Sequence, residues 1–213
     1  MIHDLLEIYK NKKDGIKKRL EGFKSVSDFS DEKLFSELAF CILTPQSKAV
    51  TSWNAVQTLE RNGLLLKGTQ KQIRPFLQAV RFGENKSRYL IEARKLFTEN
   101  GRINIKEELS EIRNNPILLR EWLLENVKGL GMKESSHFIR NIGLSNSQLA
   151  ILDVHILKNL KEFGVINEIP KSITKKKYLE IEERMKKFSD EIGIALDELD
   201  LLLWSKETGV IFK

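Results

Sequence analysis

Apolar residues recur at intervals of three and four along most of the chain, which is the pattern of amphipathic α-helices. Ser30 and two acids precede an apolar stripe from Leu34 to Ile42, which predicts a helix capped by the Ser30 hydroxyl and ending near Pro45. A strand is suggested only by Arg102–Ile105. The chain is therefore expected to be all-α. Further helices are predicted from Ala49 to Asn62, from Ile73 to just before Gly83, from Tyr89 to Asn100, and from Pro116 through Leu123.

The size and composition are those of one folded unit that needs no disulfide cross-links. The 213 residues are 41% hydrophobic, and no repeat or long linker divides them, so we expect residues 1–213 to form a single compact unit. One cysteine, Cys41, excludes an internal disulfide and a four-cysteine zinc or iron–sulfur site. No apolar run spans a membrane, and Met1–Asp4 meets charge too early for a signal peptide. We expect a soluble cytoplasmic protein.

The positive charge is clustered. The net charge is 36 − 30 = +6, and residues 1–24 and residues 171–187 each carry seven Lys or Arg. By contrast, residues 189–207 carry six acids and one Lys. The basic clusters are interpreted either as solvated helix faces or as surfaces that concentrate cations toward a nucleic acid.

The most informative segment lies within residues 118–160. An amphipathic helix runs into Val127–Met132, and a second apolar stripe follows at once, which predicts a helix, a tight hairpin and a helix. Gly129 and Gly131 permit positive φ and a close approach of the backbone, while Leu130 between them plugs the helix pair. Free amides at the start of the second helix favour an anion such as a phosphodiester. The alternative is an ordinary glycine-linked hairpin.

A lysine and an aspartate then suggest chemistry. Lys133 follows Gly131 by two residues, in a first helical turn whose dipole favours the neutral, nucleophilic amine. Such an amine can attack a sugar C1′ and form a Schiff base. Asp153 comes twenty positions later (153 − 133), and its carboxylate can stabilise oxocarbenium character at a breaking glycosidic bond. Asp153 is equally suited to be a helix N-cap, and both roles are compatible.

These motifs resemble the helix-hairpin-helix DNA glycosylases, whose signature is a Gly-hydrophobic-Gly hairpin, a lysine two residues on in the bifunctional members, and an Asp roughly twenty residues later. Further segments are similar to the compact 8-oxoguanine DNA glycosylase/AP lyase family often called type 2. The likeness runs from Phe40 to Lys213. It is carried by Lys128–Glu134, Ser136–Asn141, Ile151–Leu157, Glu168–Lys171, Glu198–Leu201, Trp204, Thr208–Gly209 and Lys213.

The resemblance implies an all-α, two-lobed fold with the active site in the cleft between the lobes and the hairpin over about residues 117–142. It implies a bifunctional enzyme that flips 8-oxoguanine out of duplex DNA, removes it with the Lys133 amine and cleaves the abasic strand by β-elimination. Asp153 would support Lys133 as the nucleophile. The resemblance further implies base recognition by Phe82, Trp204 and the C-terminal carboxylate of Lys213, and filling of the vacated stack by Gln46. The hairpin itself predicts DNA-backbone contacts at Gly129 and Gly131, and at Lys128, which precedes the first of these glycines.

No metal or other cofactor is expected, and the partner is double-stranded DNA containing 8-oxoguanine, bound by a monomer with no membrane contact. Two alternatives stay open. One is a sister glycosylase for another lesion, although a single cysteine argues against iron–sulfur relatives and Lys133 against purely monofunctional ones. The other is a non-catalytic hairpin module that only binds the DNA backbone. Cys41 is interpreted as a buried small hydrophobe, and His137 and His155 as packing residues.

Overall fold

The computed structural model describes residues 2–26 and 28–213. Within these residues the regular secondary structure is helical apart from one small hairpin of strands β1 (Thr98–Glu99) and β2 (Arg102–Ile103). No helix in this part of the chain is long and apolar enough to cross a membrane. The helices are α1 (Ile2–Val26), α2 (Asp31–Leu43), α3 (Ala49–Arg61), α4 (Leu64–Lys67), α5 (Gln70–Ile73), α6 (Gly83–Leu96), α7 (Ile105–Glu108), α8 (Pro116–Asn126), α9 (Met132–Asn141), α10 (Val154–Glu162), α11 (Lys175–Ile192) and α12 (Leu196–Thr208).

Two of the helix starts expected from the sequence have different outcomes. Asn115 caps α8 by accepting the N–H groups of Ile117 and Leu118 at 3.1 Å, and Pro116 occupies the first turn. Ser30 stands at the N-cap of α2, but its hydroxyl caps no backbone amide, so the predicted hydroxyl cap is wrong. The hydroxyl instead bonds the Glu32 carboxylate, which lowers the pKa of Glu32.

The predicted helix from Ile73 to Gly83 is also wrong. The chain makes one α-helical turn in α5 and then a 3₁₀ turn over Arg74–Leu77. Pro75 has no N–H to donate to the carbonyl four residues earlier, so the α-helical ladder cannot continue through it. The strand suggested at Arg102–Ile105 is reduced to β2, which pairs with β1 across Asn100 and Gly101, both at positive φ.

The core consists of two apolar clusters. The first lobe is built around α2, α3, α6 and α8, and α2 buries every residue from Leu34 to Leu43. The second lobe joins the two ends of the sequence, because α1 packs on α12 beside α10 and α11. Helix α9 packs against α8, α2 and α1, so it lies where the lobes meet.

The basic clusters are partly used inside the protein. Lys12 of α1 donates to the Ser205 carbonyl at 3.0 Å, and Arg19 donates to the Phe212 carbonyl at 2.5 Å. In α11, Lys175 pairs with Glu121 of α8, and Lys177 pairs with Glu180 at 3.2 Å. Lys12 and Lys175 therefore join two helices each, Arg19 holds the segment after α12, and Lys177 forms a pair within its own helix.

Candidate active site

The hairpin between α8 and α9 is shaped by one glycine at positive φ. Gly129 has φ +92°, and a Cβ added there would lie 2.6 Å from Cδ2 of Tyr89. Gly131 has φ −106°, an extended conformation, so the expectation of positive φ holds only for Gly129. Leu130 between them is buried, as expected. The hairpin backbone thus approaches the ring of Tyr89 on α6 more closely than any side chain at position 129 would allow.

We expect Gly129→Ala to damage the hairpin far more than Gly131→Ala. The first variant combines strained φ with a steric clash against Tyr89, whereas a Cβ at position 131 meets only the flexible Glu134 carboxylate at 3.1 Å. Gly129→Ala should lower the free energy of unfolding by on the order of 2 kcal/mol or more, and weaken binding to duplex DNA. Urea unfolding and a DNA-binding titration of both variants measure this. Equal losses for the two would contradict the assigned role of Gly129.

The start of α9 carries Lys133 and Glu134 side by side. Lys133 is the second residue of the helix, its side chain is 25% exposed, and Nζ lies 3.1 Å from Oε1 of Glu134. The other Glu134 oxygen accepts the N–H of Gly131 at 3.2 Å. Glu134 therefore occupies one amide of the expected anion site and holds the lysine at the mouth of the hairpin.

Asp153 begins α10. Its carboxylate accepts the N–H groups of His155 and Ile156, both at 2.9 Å, so it is the N-cap of that helix. One oxygen, Oδ1, takes both bonds, and the side chain is only partly buried. The cap fixes the carboxylate in space and leaves its second oxygen with no described hydrogen bond to the helix. The carboxylate can therefore serve both as cap and as a group that faces a reacting sugar.

Lys133 and Asp153 both act on one buried carboxylate near the meeting of the lobes. Asp200 of α12 is buried and pairs with Arg140 of α9 at 3.2 Å. Burial raises the pKa of Asp200 to about 7, Arg140 and Lys133 act against that rise, and Asp153 adds to it. Because both groups influence Asp200, the lysine and the aspartate predicted from the sequence lie in one electrostatic neighbourhood.

Lys213 lies in the same neighbourhood. Burial, followed by the charges of Arg140, Lys133 and Lys213, holds the pKa of His137 well below its usual value. The Lys213 ammonium is buried between the Glu37 oxygens, at 2.5 and 2.6 Å, and the face of Trp53, at 3.4 Å from the ring centroid. The end of the described chain is therefore fixed inside the protein rather than frayed.

Trp204 packs beside that segment. Its ring stacks on Phe212, with centroids 6.4 Å apart and an interplanar angle of 30°, and meets His155 edge to face at 6.4 Å. His155 is thus a packing partner of the tryptophan. The indole is only partly buried, so one aromatic surface with a fixed orientation remains available near α10 and α12.

Two strained loops lie beside the α8–α9 hairpin and are called the rim of the candidate active site. Gln46 and Phe82 are non-glycine residues at positive φ, 55° and 59°, and both are exposed, Phe82 by 50%. Ser47 accepts the N–H of Arg81 at 3.0 Å, which joins the two loops. The buried Lys86 ammonium donates to the carbonyls of Leu43 and Pro45 at 2.8 and 2.6 Å, and burial lowers its pKa to about 8.

Such strain persists only where the surrounding structure enforces it, and it is concentrated at functional sites. Phe82 lines a cavity of about 270 Å³ together with Tyr89 and Gly129, so the rim continues into the hairpin. In the described part of the chain Phe82 makes no ring contact with Trp204, and Arg81 lies over its ring at 5.1 Å. Lys128 is exposed on the hairpin, 3.5 Å from the carboxylate of Glu92.

The buried ion pairs were not found from the sequence. Besides Glu37–Lys213 and Arg140–Asp200, Arg120 of α8 and Glu182 of α11 form a two-point pair at 2.7 and 3.0 Å. The sequence does contain a signal for two of these pairs, because Glu37 stands on the apolar stripe of α2 and Glu182 stands on the apolar stripe of α11. A charge at an apolar position of a helix predicts a buried partner. Cys41 is buried as expected, and burial raises the pKa of its thiol.

A two-lobed helical fold with a glycine hairpin, a lysine in the first turn of the following helix and a capping aspartate nearby defines the class of helix-hairpin-helix DNA glycosylases. A family model described as 8-oxoguanine DNA glycosylase matches residues 16–194. The chain belongs to this family.

Relatives match over nearly their whole length. An 8-oxoguanine DNA glycosylase/AP lyase of Fusobacterium nucleatum is 44% identical, over 99% of this chain and 97% of the relative. The crystal structure of the Thermotoga maritima 8-oxoguanine DNA glycosylase has a TM-score of 0.86 at 32% identity, covering 100% and 98% of the two chains. The Methanocaldococcus jannaschii enzyme, solved with a 15mer DNA containing 8-oxoguanine, has a TM-score of 0.88 at 35% identity, covering 100% and 99%.

Proposed function

We propose that this chain is a bifunctional base-excision enzyme that removes 8-oxoguanine from duplex DNA and then cleaves the abasic strand. The observation that carries the proposal is the position of Lys133. It stands in the first turn of α9, where the lobes meet, in one electrostatic neighbourhood with Asp153, and in a chain that belongs to the 8-oxoguanine DNA glycosylase family. Acting on chromosomal DNA, the protein works inside the cell, with its two lobes as one unit.

The chemistry uses three side chains. Lys133 gives a proton to the Glu134 carboxylate beside it, and the neutral amine attacks C1′ of the flipped nucleotide. The glycosidic bond breaks as the base takes the bonding electrons and is then protonated. Asp153 stabilises the positive charge that develops on the sugar. The sugar ring then opens as the C1′–O4′ bond breaks and O4′ takes up a proton, which leaves a protonated Schiff base between Lys133 and C1′. This Schiff base acidifies the C2′ proton, and loss of that proton breaks the C3′–O3′ bond by β-elimination. Water then releases the lysine from the cleaved sugar.

The other site residues bind DNA and read the base. The hairpin at Gly129 and Gly131, with Lys128, contacts the phosphate backbone, and Gln46 on the rim fills the space that the flipped nucleotide leaves. Trp204 and Phe82 stack on the flipped base. A main-chain oxygen of Lys213 accepts the N7–H that 8-oxoguanine has and guanine lacks. Guanine would leave that acceptor unpaired against the N7 lone pair, and this penalty discriminates strongly between the bases.

A nicking and trapping assay tests the function. The chain is incubated with duplexes that carry 8-oxoguanine, guanine, an adenine mismatch or an oxidised pyrimidine at one position, with and without borohydride. We expect nicking and a covalent complex on the 8-oxoguanine duplex alone. Activity confined to another lesion would support the sister-glycosylase alternative, and DNA binding with no cleavage of any duplex would support the non-catalytic hairpin module.

A further inference from the structure

The segment that leads into Asp153 has an unusual set of hydrogen-bond partners. Residues 148–153 are neither helix nor strand, and yet Ala150, Ile151 and Leu152 are buried. Buried backbone groups outside regular structure need partners elsewhere, since an unpaired one is costly. Here the partners come from side chains of a helix that is distant in sequence.

Two side chains of α11 supply these bonds. The Glu182 carboxylate accepts the N–H of Ala150 at 2.8 Å. The Tyr178 hydroxyl donates to the Ala150 carbonyl at 2.6 Å and accepts the N–H of Leu152 at 3.2 Å. Both side chains are at most 3% exposed. Together they act as a neighbouring strand would, and they set the position from which Asp153 begins α10.

The same carboxylate is tied to the hairpin. Arg120 of α8 binds Glu182 through both terminal nitrogens, at 2.7 and 3.0 Å, and its Nη1 lies 3.3 Å from the Ser136 hydroxyl of α9. Ser136 stands one helical turn after Lys133. Arg120 therefore contacts the helix that carries the lysine, while Glu182 contacts the segment that carries the aspartate.

The pair also spans the two lobes. Helix α8 contributes Leu119 and Leu123 to the first apolar cluster, whereas α11 contributes Ile181 and Met185 to the second. Arg120 is 1% exposed, so no solvent screens the contact, and its planar fork matches a carboxylate in one geometry. This buried link fixes one lobe against the other at the level of the active site.

We propose that Glu182 is a positioning residue for base excision: with Arg120 and Tyr178 it holds the Asp153 carboxylate in register with the Lys133 amine. The inference rests on the proposed roles of those two residues. Since misplacing a reacting group by about 1 Å can cost on the order of 10²-fold in rate, loss of the link should slow chemistry without weakening DNA binding.

The test compares Glu182→Gln with Glu121→Gln. Glu121 pairs with Lys175 and joins the same two helices, α8 and α11, at the surface, so it is a matched control. Single-turnover excision of 8-oxoguanine should fall about 10- to 100-fold in Glu182→Gln with an unchanged dissociation constant for DNA, and stay at the parent rate in Glu121→Gln. Tyr178→Phe, which removes only the hydroxyl, should show a smaller loss of the same kind.

A double variant separates positioning from general damage. If Glu182 acts through Asp153, then Asp153→Asn combined with Glu182→Gln should be no slower than Asp153→Asn alone. The inference would be overturned if the rate loss of the double variant equalled the product of the two single losses. It would also be overturned if Glu182→Gln excised the base as fast as Glu121→Gln. Should Glu182→Gln fail to fold, Tyr178→Phe with Asp153→Asn carries the same comparison. An inactive parent enzyme would instead contradict the proposed function.

Discussion

Lys133→Gln is expected to abolish borohydride trapping on 8-oxoguanine duplexes and to slow base removal by about 10³-fold or more. The substitution leaves a polar side chain that is one atom shorter, and it removes the amine that forms the Schiff base. Because Lys133 is partly exposed at the start of α9, the fold should not depend on it. Borohydride trapping measures the first effect, and single-turnover excision measures the second.

Lys128→Gln is the matched control. Lys128 lies on the same hairpin, five residues earlier, and its ammonium is exposed beside Glu92. This variant should keep trapping and single-turnover chemistry, while its DNA affinity should fall and show a smaller dependence on salt, as expected for the loss of one phosphate contact. Covalent trapping that persists in Lys133→Gln and disappears in Lys128→Gln would reverse the assignment of the nucleophile.

Asp153→Asn should lower the rate of base excision by on the order of 10²- to 10³-fold while leaving stability almost unchanged. Asn caps a helix about as well as Asp, so the bonds to His155 and Ile156 survive the change. The negative charge that stabilises the developing sugar cation is lost. Single-turnover kinetics and urea unfolding on the same protein preparation separate the two roles.

Asp153→Ala completes this comparison. Ala cannot accept the two amides, so this variant should lose activity as Asn does and, in addition, about 1 kcal/mol of stability. Measured by urea unfolding, the difference between the Ala and Asn variants reports the cap, and their shared loss of rate reports the carboxylate. If Asp153→Asn retained the parent rate, Asp153 would be a structural cap and nothing more.

Much of the local structure follows from the sequence because its causes are local. Apolar spacing predicts α2, α3 and α8, and Asn115 with Pro116 marks where α8 begins. The glycine hairpin, Lys133 in the next helical turn and Asp153 at a cap are likewise readable along the chain. The failures are local as well: Pro75 ends a helix that apolar spacing alone extended, and the Ser30 hydroxyl turns to Glu32 instead of capping.

Only the tertiary structure decided which distant residues meet. It joined α1 to α12 in one lobe and buried Glu37 against Lys213 and Arg120 against Glu182. A helical pattern records which face of each helix is apolar, but it carries no information on which other helix covers that face. The sequence by itself thus determined several of the helices and the chemical groups of the candidate site. Packing between elements far apart in the chain decided how those groups are held together, because burial leaves each charge only the partner that the fold places beside it.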